Sequence, residues 1–465
     1  MKSDSLQYVS TRGHKKKLEF HDVIFEGLAP DGGLYIPEYW PTLNKDIINS
    51  FSSKNYTEIA HDVLSPFLDN TINENELRLI IESAYRCFDS DEITPLTKIS
   101  NDEYLLELHH GPTYAFKDIA MQFIARLMDF YLSRDNTTIN ILGATSGDTG
   151  AAAISAIKNR KKMKIFVLHP HNKISKVQRK FMTTVDSENV FNIALEGNFD
   201  DCQKLVKLMF NDKKFSSSIN MSGVNSINWS RIVFQIVYYF YSYFKIAKEN
   251  EKINFSVPTG NFGDIYAGYI AKKMGLPIDK LIIATNKNDI LKRVINTGIY
   301  KPLKTEHTLS PSMDIQVASN FERLIFDIIN NDSERTIKLM HELKEKGEFK
   351  LSNEEIKKIR NDFFAESLSD IETRSIIKKF YDNEKILIDP HTAVGIGVIE
   401  KIKIKGTKVV LATAHPSKFS DVVMDSVGIK PELPNSLKNT LDKKEKYEVI
   451  SNNLKDIKDY IGKKI

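Results

Sequence analysis

The sequence predicts an α/β protein whose parallel sheet is buried on both faces. Two observations carry this. Short apolar runs at 138–142, 165–168, 190–195, 253–257 and 281–284 alternate with helical stretches near 148–160, 173–185, 199–210, 228–247 and 264–274, and that alternation is the pattern of strands sandwiched between helices. Three loops, two of them glycine-rich and each carrying a hydroxyl residue, also follow predicted strands. Open α/β sheets bind ligands at such places, beyond the carboxyl ends of their strands.

Composition narrows the function classes. The chain has 465 residues, long enough for two or three domains with sizeable cores. Its net charge of +4 is spread along the chain. Short lysine runs at 15–17 and 161–162 read as solvated faces, so no nucleic-acid stripe is expected. With only Cys87 and Cys202 there is no disulfide framework and no zinc spacing, and no metal site is expected. The N-terminus lacks the apolar core of a secretion signal. The most apolar stretch, 232–244, is interrupted by Gln235 and Ser242 and is too short to span a bilayer. A reducing cytoplasm and no membrane partner are the expectation.

In chain order, residues 1–100 read as a separate opening section. A turn-rich loop at 29–37 is followed by amphipathic helices near 56–68 and 74–87, the second with Asn73 as cap and Glu76 three positions on. Leu105, Leu106 and Leu108 make a short strand over 103–108. The very apolar helix at 228–247 reads as a core helix between layers, its aromatics serving packing. More charged helices are predicted at 321–329, 333–346, 353–365 and 370–381, and a last strand at 408–412. The tail from residue 430 reads as a surface segment with one helix near 453–461.

Residues 109–123 hold the chemistry. Gly111 and Pro112 break what precedes them. Ile119, Phe123, Ile124, Leu127 and Tyr131 then recur at helical spacing, so a helix begins near Lys117. The positive end of a helix dipole and the apolar neighbours Phe116 and Ile119 both disfavour an ammonium there. Both lower the pKa and favour the neutral amine that Schiff-base chemistry needs. For an isolated Lys-Asp pair, a solvated lysine offset by Asp118 is the better reading. The three loops reverse that balance.

The first loop, 143–150, contains Thr145, Ser146, Asp148 and Thr149 among glycines. Its glycines let backbone approach a ligand, and its hydroxyls and helix N–H groups can hold an anion. A glycine-rich connection with Asp148 as helix cap is the bland alternative. The second loop runs through Gly260, Asn261, Phe262, Gly263 and Asp264. It makes a nest of N–H groups suited to a phosphate, and it contains no lysine, unlike a nucleotide loop. A plain tight strand-to-helix turn is its alternative. The third places Thr413 after the last strand. There a hydroxyl can bond a ring nitrogen without protonating it, or simply cap. A masked lysine, a phosphate nest and a polar ring partner are together the three needs of pyridoxal phosphate.

Longer motifs extend this. His110-Gly111-Pro112-Thr113 with Ala115-Phe116-Lys117-Asp118 resembles the pyridoxal-lysine motif of threonine synthases. So do 144–150 and 260–264. Further matches lie at 28–33, 196–202, 225–229, 310–315, 389–395 and 412–416. They run in order over almost the whole chain and resemble the longer type of the family, found in many bacteria and in fungi. One departure is Tyr114, where leucine is the family's usual residue.

The resemblance implies a tryptophan-synthase-β-like fold (fold type II among pyridoxal enzymes), with two open α/β domains behind an N-terminal extension. It divides the chain into an N-terminal domain 1–100, a large cofactor-binding domain 101–135 plus 225–429 with a helical insertion at about 315–381, a small mobile domain 136–224, and a tail 430–465. It implies conversion of O-phospho-L-homoserine and water to L-threonine and phosphate. Lys117 is the implied catalytic and cofactor-binding lysine. Gly260, Asn261, Phe262, Gly263 and Asp264 are the implied phosphate loop, and Thr413 the partner of the pyridine nitrogen. Thr145, Ser146, Asp148 and Thr149 belong to the implied substrate loop. A monomer is expected, with a homodimer as the alternative. The rivals are another enzyme of the same fold, such as a threonine dehydratase or a cysteine synthase, and a non-catalytic relative that only binds a phosphorylated ligand. A nucleotide-binding protein is more distant, because no Walker motif is present.

Overall fold

The computed structural model describes residues 5–68, 71–145, 147–174, 176–223, 225–248 and 251–465. Two sheets position the site. The larger has six strands in the order Phe363–Ser367, Ile278–Thr285, Ile253–Pro258, Lys408–Ala412, Glu103–Glu107, Leu96–Lys98. All its pairings are parallel except the last. Every residue of Ile253–Pro258 is buried, as a strand covered by helices on both faces requires. The smaller sheet has five strands in the order Glu448–Ser451, Val190–Glu196, Met163–Pro170, Ile139–Ala144, Met221–Ser222, all parallel.

Both sheets present the carboxyl ends of their strands to helix starts, and two of these helices carry the chemistry. Lys117–Arg134 packs against Asp148–Ile157. That contact is made of small and pliable side chains: Met121, Ala125 and Met128 on one helix, Ala153, Ala156 and Ile157 on the other.

The opening section folds as the periodicity predicts. Helices Tyr56–Leu68 and Glu74–Tyr85 pack on Ile236–Ile246 and Lys117–Arg134 respectively. Asn73 and Glu76 form the expected reciprocal cap. A two-stranded ribbon, Tyr8–Ser10 with Tyr35–Pro37, precedes them.

Three elements differ from the sequence reading. The stretch expected as one helix over 228–247 is two, Trp229–Val233 and Ile236–Ile246. Gln235 N bonds to Ile232 O at 2.9 Å, a tightened turn that re-aims the chain. The helix expected over 353–365 ends at Asp362, and Phe363–Ser367 becomes the edge strand beside Ile278–Thr285. Cross-strand pairing there overrides the local pattern. The tail is not merely a surface segment. Glu448–Ser451 joins the small sheet, and helix Leu454–Lys464 buries Ile457 and Ile461 against it.

No helix among the described residues is long and apolar enough to cross a membrane. Among them, no cluster of three or more His, Cys, Asp or Glu could hold a metal ion.

Candidate active site

Lys117 is the first residue of its helix. The motif before it folds around Asp118. The Thr113 N–H and hydroxyl each donate to the Asp118 carboxylate at 2.8 Å. Gly111 lies so close that a Cβ there would sit 2.4 Å from Asp118 Cβ, so only glycine fits. Burial pushes the Asp118 carboxyl up to about 6, against the bonds from Thr113. Tyr114 adopts a left-handed φ of 55° and donates its hydroxyl to Asp89. The departure from leucine thus points towards the opening section, its ring edge-on to His415.

The end of the last strand is stitched to this motif. Phe116 N donates to Thr413 O at 2.9 Å and His415 N to Tyr114 O at 3.1 Å. Thr413, buried, is thereby held beside the start of the Lys117 helix.

The Lys117 side chain is 13% exposed, and its Nζ is 4.6 Å from the Phe116 ring centre. Burial lowers the pKa of the amine. Asp148, 3.8 Å away, opposes this, while the charges of Lys418 and Arg231 add to it. Asp148 starts the helix after the small sheet's first strand. Burial would raise its carboxyl, but Lys418 and Lys117 outweigh that and hold it down at about 2. Lys418 Nζ lies 2.6 Å from Asp148 Oδ1 and donates to Thr113 O at 2.8 Å. Two lysines from the large-sheet side therefore share one carboxylate from the small-sheet side.

The Thr145 hydroxyl accepts from Gly147 N and Gly150 N, both at 3.2 Å, and so caps the Asp148 helix. A Cβ on Gly150 would lie 2.2 Å from Thr145 Cγ2. Thr149 is half-buried in the first turn. Ser146 lies outside the described residues.

The loop at 260–264 is tightly held. Phe262 takes a left-handed φ of 65° although fully buried. Its ring packs against Phe321, Tyr266 and Phe363, which sustains the strain. A Cβ on Gly260 would meet Ser312 O at 3.0 Å. Asn261 donates to Ser226 Oγ at 2.9 Å, and Asn261 O accepts from Asn320 Nδ2 at 3.0 Å. Arg323 in turn donates to Asn320 Oδ1, to Tyr35 O at 2.8 Å and to Ile227 O at 2.7 Å. This turn opens helix Gly263–Lys273, whose first N–H groups have no intrahelical acceptor. The Asp264 carboxylate, however, accepts from the Tyr238 and Tyr239 hydroxyls. Burial raises it to about 6. An anion in the loop would thus meet the backbone N–H of Asp264 and not its side chain.

Sequence reasoning singled out neither Lys418 nor the Asn320–Arg323 brace, nor the tie between two quoted motifs. His391 Nδ1 is 3.1 Å from Asp389 Oδ2, and Ser312 N donates to His391 Nε2 at 3.3 Å, which fixes the tautomer. The only available signal was proximity: Lys418 follows the 412–416 motif by two residues.

Comparison with known proteins agrees with this geometry. The family model for the threonine synthase N terminus matches residues 7–85, that for pyridoxal-phosphate dependent enzymes 89–344, and that for the threonine synthase C-terminal region 392–461. The threonine synthase of Pseudomonas aeruginosa is 42% identical over 460 residues, covering 98% of each chain. The crystal structure of pyridoxal-phosphate-bound threonine synthase from Brucella melitensis superposes with a TM-score of 0.97 at 45% identity, covering 99% of both chains. That of the yeast enzyme gives 0.94 at 39%, with the same coverage. The chain belongs to the threonine synthase family of pyridoxal-phosphate-dependent enzymes.

Proposed function

We propose that this chain converts O-phospho-L-homoserine and water to L-threonine and phosphate, with pyridoxal phosphate held by Lys117. The residues fit the group. A buried lysine with a lowered pKa suits imine formation. A backbone nest with no side chain at Gly260 and a left-handed Phe262 suits a phosphate. A buried hydroxyl at Thr413 suits a ring nitrogen that stays unprotonated.

Gly260, Asn261, Phe262, Gly263 and Asp264 would hold the cofactor phosphate through N–H groups, braced from behind by Asn320 and Arg323. When bound, the cofactor supplies an electron sink for negative charge developing on the substrate carbons. Lys117 Nζ serves as the base, taking protons from carbon and returning them; burial keeps more of it neutral near pH 7. The loop of Thr145, Ser146, Asp148 and Thr149 receives the substrate carboxylate, chiefly through the N–H groups of its helix start. The Asp148 side chain serves as counter-ion to Lys117 and Lys418.

We read residues 136–224 as the mobile small domain and 101–135 with 225–429 as the cofactor-binding domain, with the enzyme a cytoplasmic monomer. The observation that carries the reading is Lys117: a buried amine at a helix start facing a carboxylate from the opposite sheet. The test is the visible absorption of the purified protein before and after O-phospho-L-homoserine, with phosphate release followed in parallel. A cofactor band that shifts as phosphate appears is expected. Formation of 2-oxobutanoate with ammonia would transfer the assignment to a dehydratase. Absence of any band after reconstitution would end it.

A further inference from the structure

We propose that Lys418 is the receptor for the substrate's phosphate group, and that the incoming phosphate takes the place of Asp148 on its ammonium. The proposal rests on the reading of O-phospho-L-homoserine as substrate.

Lys418 lies on the turn Pro416–Phe419, directly beyond the strand end that carries Thr413. Its side chain is 1% exposed. Its ammonium is ringed by three groups from different places: Asp148 Oδ1 at 2.6 Å, Thr113 O at 2.8 Å, and the Phe181 ring at 5.2 Å. Asp148 and Phe181 come from the small-sheet side, Thr113 from the motif before Lys117. A buried ion pair is a weak source of stability, often matched by apolar residues of the same size. A cation kept in so dry a place therefore invites a functional reason.

The charge pattern supplies one. Asp148 is shared by Lys117 and Lys418. Once Lys117 is engaged as an imine or rests as neutral amine, Asp148 and Lys418 balance each other, and the buried Arg231 remains as a further positive charge near Lys117. A phosphate monoester carries more charge than a carboxylate and offers several oxygens to one ammonium. It competes for Lys418 on favourable terms, and Thr113 O keeps the ammonium aimed during the exchange. The phosphate loop at 260–264 has no lysine or arginine of its own. Lys418 thus separates two phosphates that the reaction must not confuse: the cofactor's, held by amides, and the substrate's, held by a charge. The substrate's carboxylate, singly charged, is left to the N–H groups near Thr145 and Thr149.

The test is calorimetric titration of inorganic phosphate, and separately of L-threonine, into the cofactor-loaded enzyme, whose amide nest is already filled. In Lys418→Met, phosphate affinity is expected to fall about ten-fold or more, while L-threonine affinity and cofactor content change little. Lys418→Arg should retain phosphate binding. Asp148→Asn should tighten it, because the competing anion is gone. If Lys418→Met does not fold, the pair Lys418→Met with Asp148→Asn removes both members of this ion pair together and should show the same loss. Steady-state kinetics of the folded variant should show KM for O-phospho-L-homoserine rising more than kcat falls. Wild-type-like phosphate affinity in Lys418→Met, a selective loss of L-threonine binding, or no phosphate binding by the wild-type holoenzyme overturns the proposal. Failure of the wild type to release phosphate from O-phospho-L-homoserine is a separate result, and it removes the substrate assignment itself.

Discussion

The two sheet regions meet at the site with opposite constructions. On the large-sheet side, the functional loop is fastened by buried hydrogen bonds that cross the fold. Asn261 is tied to Ser226 and Asn320, Asn320 to Arg323, and Arg323 to Tyr35 in the opening ribbon. On the small-sheet side, the loop 145–150 is fastened mainly to itself, through Thr145. It reaches the other side through one carboxylate, Asp148, shared by Lys418 and Lys117, and through a helix contact of alanine and methionine. Fixed polar ties suit the role proposed for this loop, holding the cofactor phosphate in place. A pliable apolar contact with an exchangeable ion pair suits the role proposed for this loop, letting substrate in and product out.

The sharpest way to test the anchored side is at Lys117. Lys117→Ala is expected to reduce threonine formation by about 10⁴-fold, with Tm little changed because a small residue fits at a helix start. Assay of phosphate release by the refolded, cofactor-supplemented variant checks this. Retained turnover would remove Lys117 from the mechanism.

The second prediction separates the two regions. Deleting residues 448–465 removes a strand and the buried Ile457 and Ile461. At roughly 2 kcal/mol per buried isoleucine, the small-sheet region should lose about 4 kcal/mol. It should also expose the edge of Val190–Glu196 and favour aggregation. Limited proteolysis should then cut first within 136–224, with the 260–264 loop still protected. Equal loss of protection on both sides would show that the regions do not unfold separately.

How far these features could be read from the sequence depends on the range of the forces behind them. Lys117 at a helix start, the glycine loops and the alternation of strands and helices are local patterns, and they are where the periodicity put them. Phe363–Ser367 reads locally as the end of a helix; only the open edge of Ile278–Thr285, some eighty residues earlier, makes it a strand. Glu448–Ser451 is likewise recruited by Val190–Glu196. Lys418 looks like any lysine in a turn until Asp148, 270 positions away, closes on it. The Asn320–Arg323 brace joins residues from four parts of the chain, and no single spacing encodes it. Asp264 was legible as part of the loop, but the turning of its carboxylate to Tyr238 and Tyr239 was not.

That carboxylate gives the third prediction. Burial raises Asp264 from 3.8 to about 6, so the folded protein binds this proton more readily than the unfolded chain. Stability from this group is therefore greatest below pH 4 and is lost as pH rises towards 6 and beyond. Asp264→Asn can still accept from both tyrosines and carries no charge. It should be more stable than wild type by about 3 kcal/mol at pH 7, with the advantage disappearing near pH 4. Urea unfolding at the two pH values reads this directly. An advantage independent of pH would mean that the tyrosine bonds, and not burial of charge, set the energetics of the anchored side.

The smallest expected effect lies where the anchored side meets the opening section. Tyr114 sits three residues before Lys117, yet its hydroxyl is turned away to Asp89. If its task is to fasten the lysine's loop to the opening section, then Tyr114→Leu removes one hydrogen bond to a charged acceptor. The cost should be about 1–2 kcal/mol of stability. The carbonyl of Tyr114 would still accept from His415 N, so the stitch that holds Thr413 beside the Lys117 helix should persist. Turnover and cofactor absorption should accordingly change by less than about three-fold, since less than about 0.7 kcal/mol would reach the barrier. A ten-fold loss of kcat with unchanged Tm would instead place the tyrosine ring in contact with the reacting groups. The departure from leucine would then belong to the chemistry of the site and not to its support.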